Sequence, residues 1–376
     1  MTQSEPLNLL YTDIEDQLRA SVRDLLSDRA QPASILARCE TDKPYDLDLW
    51  RTLSGDLGVG SLHVPEELGG QGASTRETAV VMEELGRSVA PVPFLGSAVL
   101  ATGALLGSEP DDAARELLDA LGAGRSVGAL AVSLGTAPGS PFPTTVAYDD
   151  DTAGGTLRGT VRTVGDGVAA DVLVVPAAGV DGPRLFTVPV GQAGVTVTPV
   201  VSLDLTRPVA DVTLDGATGT ALAGDAASAL DSALWTAAAL LASEQVGLAE
   251  WCVTTTVAYL KDRHQFGRPV GSFQALKHRL ADLWQELALA RAAARAAADT
   301  PGTSAEARLA ASLANSLCSN VAVHAAEECV QLHGGIGMTW EHPAHLYLKR
   351  AKADQVALGT PGRHRQLLAP LADLPA

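Results

Sequence analysis

Three short segments carry residue types and spacings that can do chemistry. In the first, YLKDRHQFGRPVGSFQALKH from Tyr259 to His278, a helix ends near Arg263, the chain bends through Gly and Pro, and a new helix starts after Ser272, a candidate N-cap. A helix start beside Arg263 and Arg268 favours a phosphate, because free N–H groups and guanidinium groups both attract it. The second segment, QLHGGIG from Gln331 to Gly337, sets Gly334 and Gly335 side by side, so that backbone can come close to a planar or charged ligand. The third is LGTPG, Leu358 to Gly362, which follows the basic stretch Lys349 to Lys352. Taken singly these read as a helix corner with a surface arginine and as turns. Their joint order on one chain is far more specific.

The elements that must position them fall into three stretches. Ile14, Leu18, Val22 and Leu25 form the stripe of an amphipathic helix, and further helices are expected over Asp46 to Leu57, Thr75 to Arg87 and Asp111 to Leu121. The paired glycines of VPEELGGQG, Val64 to Gly72, mark an irregular loop. From about Val127 to Gly216 the texture changes to short β-rich runs, Val172 to Val175, Leu185 to Val188, Val195 to Thr198 and Val209 to Leu214, which predict a small sandwich or barrel. After Ala226 helical periodicity returns with Leu276, Leu280, Leu283 and Leu287, breaks at Pro301 and Gly302, and resumes from Glu306 to Leu332. The expected organisation is a helical domain over 1–126, a β domain over 127–225 and a helical domain over 226–376. The fold class is mainly α with a central β domain.

Composition narrows the function classes. In 376 residues, 27 Lys and Arg stand against 44 Asp and Glu, a formal charge of −17, which argues against nucleic acid and anionic membrane surfaces as partners. Four cysteines, Cys39, Cys252, Cys318 and Cys329, lie scattered without a metal or disulfide spacing, as expected in a reducing compartment. The first twenty residues lack the features of a secretory signal, so a cytoplasmic location is expected. No membrane span is expected either, because Ser243, Glu244 and Gln245 interrupt the Ala-rich run near residue 237. No residue period repeats along the chain.

Taken together, LW..L...LG and VPEELGGQG between Leu49 and Gly72, EELGR at Glu83 to Arg87, RHQFGRPVGSFQALKHRLAD at Arg263 to Asp282 and HGGIGMTWEHP at His333 to Pro343 resemble the acyl-CoA dehydrogenase family over nearly the whole chain. The resemblance implies a tetramer whose C-terminal domain is a four-helix bundle, with FAD held between subunits and an acyl-CoA thioester oxidised to the α,β-enoyl thioester. It carries flavin contacts onto Arg263, Gln265, Phe266 and Gln274, which in the family reach FAD from a neighbouring subunit. Gln331, Gly334 and Gly335 match the strip against the cofactor's ADP end, and Thr360 is a further candidate.

Other positions depart from the family. Its T-E-x-x-x-G-S loop reads SLGTAPGS here, Ser133 to Ser140, and its W-I-T/S reads RTVGDG, with Thr163 at the Trp place and Gly165 at the next hydroxyl place. These changes remove both an indole wall and a hydrogen bond from the flavin ring's surroundings. The catalytic Glu of the family's Y-E-G-T is Leu358, and the alternative base position on an earlier helix is Ala237; neither side chain accepts a proton. Glu244, seven residues past Ala237, shares its helix face but sits about 10 Å further along the axis, and a structural hydrogen bond near Gly247 is its preferred role.

Two readings follow. In the first, the chain resembles the non-catalytic subunit of actinobacterial heteromeric α2β2 acyl-CoA dehydrogenases that act on sterol side chains. It completes a composite FAD site, while a sister acyl-CoA dehydrogenase subunit supplies the base and most of the acyl-CoA pocket. In the alternative, it is a homotetrameric enzyme with a displaced base such as Glu244. The joint loss of base and ring-facing loops, with the cross-subunit segments kept, favours the first.

Overall fold

The structure, a computed structural model, describes residues 9–149 and 155–373. It opens with α1 (Asp13–Arg29), α2 (Pro32–Cys39), α3 (Leu47–Arg51), α4 (Thr75–Ser88), α5 (Thr102–Leu106) and α6 (Asp112–Gly122). Thr12 and Glu15 start α1 with a reciprocal capping box, and Ser74 and Glu77 start α4 the same way. The apolar stripe of α1 differs from expectation at its N-terminal end. Val22 and Leu26 are buried, whereas Ile14 is exposed, because the inward face of that first turn is taken by Glu15 in its ion pair with Arg76 (2.7 Å).

The middle of the chain is a barrel rather than a sandwich. Its strands are β1 (Gly128–Leu130), β2 (Val146–Asp149), β3 (Gly155–Gly165), β4 (Val172–Gly179), β5 (Gly182–Pro189), β6 (Val195–Val200) and β7 (Val209–Ala221). Pairing runs β4-β2-β3-β7-β5 and returns from β5 to β4, which closes the ring and leaves β1 and β6 as outriders on β4 and β7. Alternate inward residues, among them Leu157, Val161, Val175, Phe186, Val212 and Leu214, form its own core.

The remaining helices are α7 (Ala226–Asp262), α8 (Gln274–Asp299), α9 (Ala305–His333), α10 (Ala344–Asp354) and α11 (Pro361–Leu371), with a two-strand hairpin, β8 (His264–Gln265) and β9 (Arg268–Pro269), between α7 and α8. Against expectation, α7 is long and apolar enough to cross a membrane by length and composition. Most of that apolar stretch is buried in a core shared with α4, α8 and α9, as befits the central helix of a bundle. Glycines set the approach of α4 to α7. A Cβ on Gly86 would stand 2.0 Å from the Glu244 carbonyl oxygen, and one on Gly247 would stand 1.8 Å from that of Glu83. The glycine of EELGR is therefore a contact between backbones.

Candidate functional site

Helices α7 and α9 run parallel. Asp231 pairs with Arg308 (3.1 Å), Gln245 Nε2 donates to Ser319 Oγ (2.9 Å), and Tyr259 stacks on His333 with ring centroids 4.4 Å apart. Between them α8 runs the other way, pairing Arg291 with Glu250 and Arg279 with Glu328. The ends of α7 and α9 and the start of α8 therefore meet at one end of the bundle. This brings together Arg263, Gln265, Phe266, Gln274, Gln331, Gly334 and Gly335, which are far apart in sequence.

Local structure presents these groups outward. Arg263 ends α7, its N–H donating to Tyr259 O (2.8 Å) and its carbonyl accepting from Val270 N–H (2.7 Å), which ties the hairpin back to the helix. Its guanidinium is exposed and has no partner among the described residues. Phe266 stands at the hairpin tip with φ +54° and is 90% exposed. Gln265 turns its amide onto the His264 carbonyl (2.9 Å), and Gln274, first residue of α8, lies 3.4 Å from the His278 ring. Gln331 is exposed in the last turn of α9. Gly334 has φ +63°, and a Cβ at Gly334 or Gly335 would meet nothing within 4 Å, so the strip borders open space.

The N-cap of α8 differs from expectation. Phe273 holds that place with no side-chain hydrogen bond, while Ser272 closes a 3-10 turn and leaves its Oγ buried without a partner. The first N–H groups of α8 are thereby left without a side-chain cap.

Thr360 lies elsewhere. It caps α11 and lines a cavity of about 690 Å³ against the barrel, together with Ser133, Thr136, Ser140, Arg162 and Arg363. The neighbouring Gly139 N–H donates to Asp231 (2.8 Å) near the start of α7. Asp231 and Arg263 are separated by about 48 Å of that helix at about 1.5 Å per residue. Within one chain, Thr360 and the bundle-end group therefore cannot grip a single ligand.

The two positions at which the resemblance implies a base are closed. Ala237 and Leu358 are both 0% exposed, and Leu358 is tied by its N–H to Leu134 O (2.7 Å) and by its carbonyl to His364 Nε2 (2.9 Å). Thr163, at the Trp place, spends its hydroxyl on Ser133 Oγ (2.9 Å) and its carbonyl on Leu134 N–H (2.9 Å).

Glu244 belongs to a buried ion cluster that joins the barrel to the bundle. Arg207, from the loop between β6 and β7, donates to both Glu244 oxygens (2.7 and 2.5 Å) and to Asp354 Oδ1 (2.7 Å). Arg350 donates to Asp204 (2.6 Å), Glu244 (2.6 Å) and Thr206 Oγ1 (2.6 Å). Burial alone would raise the Glu244 carboxyl, but Arg207 and then Arg350 outweigh it and hold it below its ordinary value. A base so held is weak and out of reach of any solvent-side substrate. Of this cluster, sequence reading singled out Glu244 and the basic stretch containing Arg350, but Arg207, Asp204 and Asp354 carry no sequence signal.

Two guanidinium groups here face three carboxyl groups, and Asp354 Oδ2 is buried without a partner. Burial first, and Glu244 second, push Asp354 up to about 8 from 3.8. Between those values the folded protein holds a proton that the unfolded chain releases, so this group's contribution to stability falls as pH rises through the window. Asp354→Asn is expected to remove that slope. Melting temperatures taken from about pH 5 to about pH 9 should fall more steeply for the parent than for the variant; equal slopes would mean that Asp354 is ionised throughout.

Comparison with known proteins identifies the family and the fold. The acyl-CoA dehydrogenase N-terminal domain model matches residues 12–124 and the C-terminal domain model matches residues 226–370. The chain is 39% identical over 344 residues to acyl-CoA dehydrogenase IpdE2 of Mycobacterium tuberculosis, spanning 92% of each. Among solved structures it superposes on a chain of the ChsE4-ChsE5 complex from M. tuberculosis with TM-score 0.86 at 29% identity, covering 98% of this chain and 100% of that one. A variant of the Tcur3481-Tcur3483 steroid ACAD gives TM-score 0.84 at 29% identity, covering 96% and 98%.

Proposed function

This chain belongs to the acyl-CoA dehydrogenase family, and from that premise we propose that it is the base-lacking subunit of a heteromeric acyl-CoA dehydrogenase, completing the FAD site of a sister subunit. The observation that carries the proposal is the pair of sealed apolar side chains, Leu358 and Ala237, at the two places where the family keeps its carboxylate. Glu244, the nearest substitute, is occupied by two arginines.

The family cofactor is FAD, and the residues at the bundle end fit it. An unpaired guanidinium at Arg263, an exposed phenyl ring at Phe266 and a glycine strip that a Cβ would fill suit a flavin dinucleotide approaching from outside the chain. When bound, FAD supplies a hydride acceptor for the acyl β-carbon. The work of this chain is to bind and orient. Arg263 would hold the pyrophosphate or a flavin edge, Phe266 would offer its exposed ring as an apolar wall, and Gly334 and Gly335 would let backbone come close to the ADP end. The sister subunit supplies the base, the ring-facing barrel loops and most of the acyl-CoA pocket.

Steroid-derived acyl-CoA is the substrate class we favour, supported by the 29% identity to a steroid ACAD and the likeness to a two-subunit complex. The assembly is expected to hold half as many flavins as subunits, because only sites that combine a sister barrel with this chain's Arg263 are complete. A bidentate, charge-assisted contact is worth roughly 1.5 to 3 kcal/mol, so Arg263→Ala should weaken flavin retention about ten- to a hundredfold. The ratio of flavin to protein absorbance after gel filtration of the co-expressed complex, with mass photometry for stoichiometry, measures both. One flavin per subunit, or full retention in the variant, would show that this chain builds its own site.

A further inference from the structure

The cavity of about 690 Å³ between the barrel and α11 takes no part in the bundle-end site. Three walls enclose it. Strand β3 supplies Thr160 and Arg162, the segment from Ala131 to Thr145 supplies several hydroxyl groups, and the start of α11 supplies Thr360 and Arg363. Leu134 ties the walls together, its N–H donating to Thr163 O (2.9 Å) and its carbonyl accepting from Leu358 N–H (2.7 Å). Both partners of Leu134 have a left-handed backbone, with φ +53° at Thr163 and at Leu358. Such strain in residues other than glycine persists only where the surroundings hold it, and it gathers at ligand clamps.

The lining points to an anion. Thr160 and Arg162 alternate on β3 and share the outer face of the barrel, while Val161 between them enters its core. Arg363 stands in the first turn of α11, where its N–H donates to Thr360 Oγ1 (3.3 Å). Neither guanidinium has a hydrogen bond or ion pair among the described residues, and no carboxylate among them lines the cavity. In a chain of formal charge −17, two uncompensated cations on one cavity attract a negative ligand. The hydroxyls of Thr136, Ser140 and Thr145 are likewise without partners among the described residues, and each can both donate and accept, as a sugar requires. No aromatic ring among the described residues walls the cavity, which leaves a flavin ring without a stacking surface.

We propose that this cavity is a second ligand site, which takes a nucleoside diphosphate that carries no flavin. Arg162 and Arg363 hold its pyrophosphate, Thr136, Ser140 and Thr145 bond its ribose, and Pro141 and Pro143 pack against its base. Cavities of about 300 to 1,000 Å³ suit ligands of this size, whereas a lone phosphate would leave most of the space to water. The same chemical group occurs free, as ADP, and as the nucleotide end of coenzyme A. Binding here is independent of whether the chain pairs with a sister subunit, because every residue of the site belongs to this chain.

The test is isothermal titration of the purified full chain with ADP, inorganic pyrophosphate, coenzyme A and FAD. ADP should bind, with pyrophosphate weaker by about tenfold or more, since it lacks the sugar and base. Arg162→Ala and Arg363→Ala should each weaken ADP by about tenfold and leave the melting temperature unchanged, because neither side chain has a partner to lose. Arg263→Ala, at the far bundle end, should leave ADP binding as it was. Coenzyme A binding as tightly as ADP or more tightly would make the coenzyme the source of the nucleotide; ADP binding with coenzyme A excluded would make it the free nucleotide. No binding of ADP at millimolar concentration, equal affinity for ADP and pyrophosphate, or displacement of ADP by FAD would each overturn the proposal. So would ADP binding that Arg263→Ala removes and Arg162→Ala spares, which would place the nucleotide at the bundle end.

Discussion

Purified alone and offered straight-chain, branched and steroid-derived acyl-CoA thioesters with an artificial electron acceptor, the chain is expected to show no family-like dehydrogenation. The reaction requires a carboxylate within hydrogen-bond reach of the α-proton, and loss of a general base alone removes about 10² to 10⁴ in rate. Leu358 and Ala237 offer no proton acceptor, and both are sealed in the core. Restoring the family residue should not restore activity. Leu358 has φ +53° and is wholly enclosed, so Leu358→Glu would bury an unpaired carboxylate and lower the melting temperature instead. Activity should return when the sister subunit is co-expressed. Should the isolated chain prove active, Glu244→Gln decides the matter, since a fall in turnover with flavin still bound would establish a displaced base and end the subunit reading.

Arg350→Ala is expected to cost about 3 to 5 kcal/mol of stability. Its guanidinium directs hydrogen bonds to Asp204, Glu244 and Thr206, and the side chain is only 3% exposed. Removing it leaves Asp204 with its Thr206 bonds alone and Glu244 with Arg207 alone, in a region from which water is excluded. The loop between β6 and β7 is pinned to α7 and α10 through these pairs, so the loss should appear as detachment of barrel from bundle. Urea unfolding followed by circular dichroism measures the loss. A change under about 1 kcal/mol, the range of exposed pairs, would mean that water reaches the cluster.

Much of the architecture could be read from the sequence because its signals are local. Capping boxes at Thr12 and Ser74, leucines repeating at three and four on α8, and alternating β-branched runs each depend on residues a few positions apart. The family's cross-subunit segments could likewise be found as contiguous motifs, from Arg263 to Gln274 and from Gln331 to Gly335.

Tertiary structure alone decided the rest. The barrel closes because β5 finds both β7 and β4, a pairing that no single strand announces. Ile14 lies outside because Glu15 is drawn inward by Arg76, sixty-one positions away. Glu244 is spent because Arg207 and Arg350 converge on it from two other elements, and a carboxylate's role follows from what surrounds it in space. The separation of Thr360 from Arg263 is set by the length of α7, whose rigid rise puts the two far apart in one chain, a spacing that no motif in the sequence reveals.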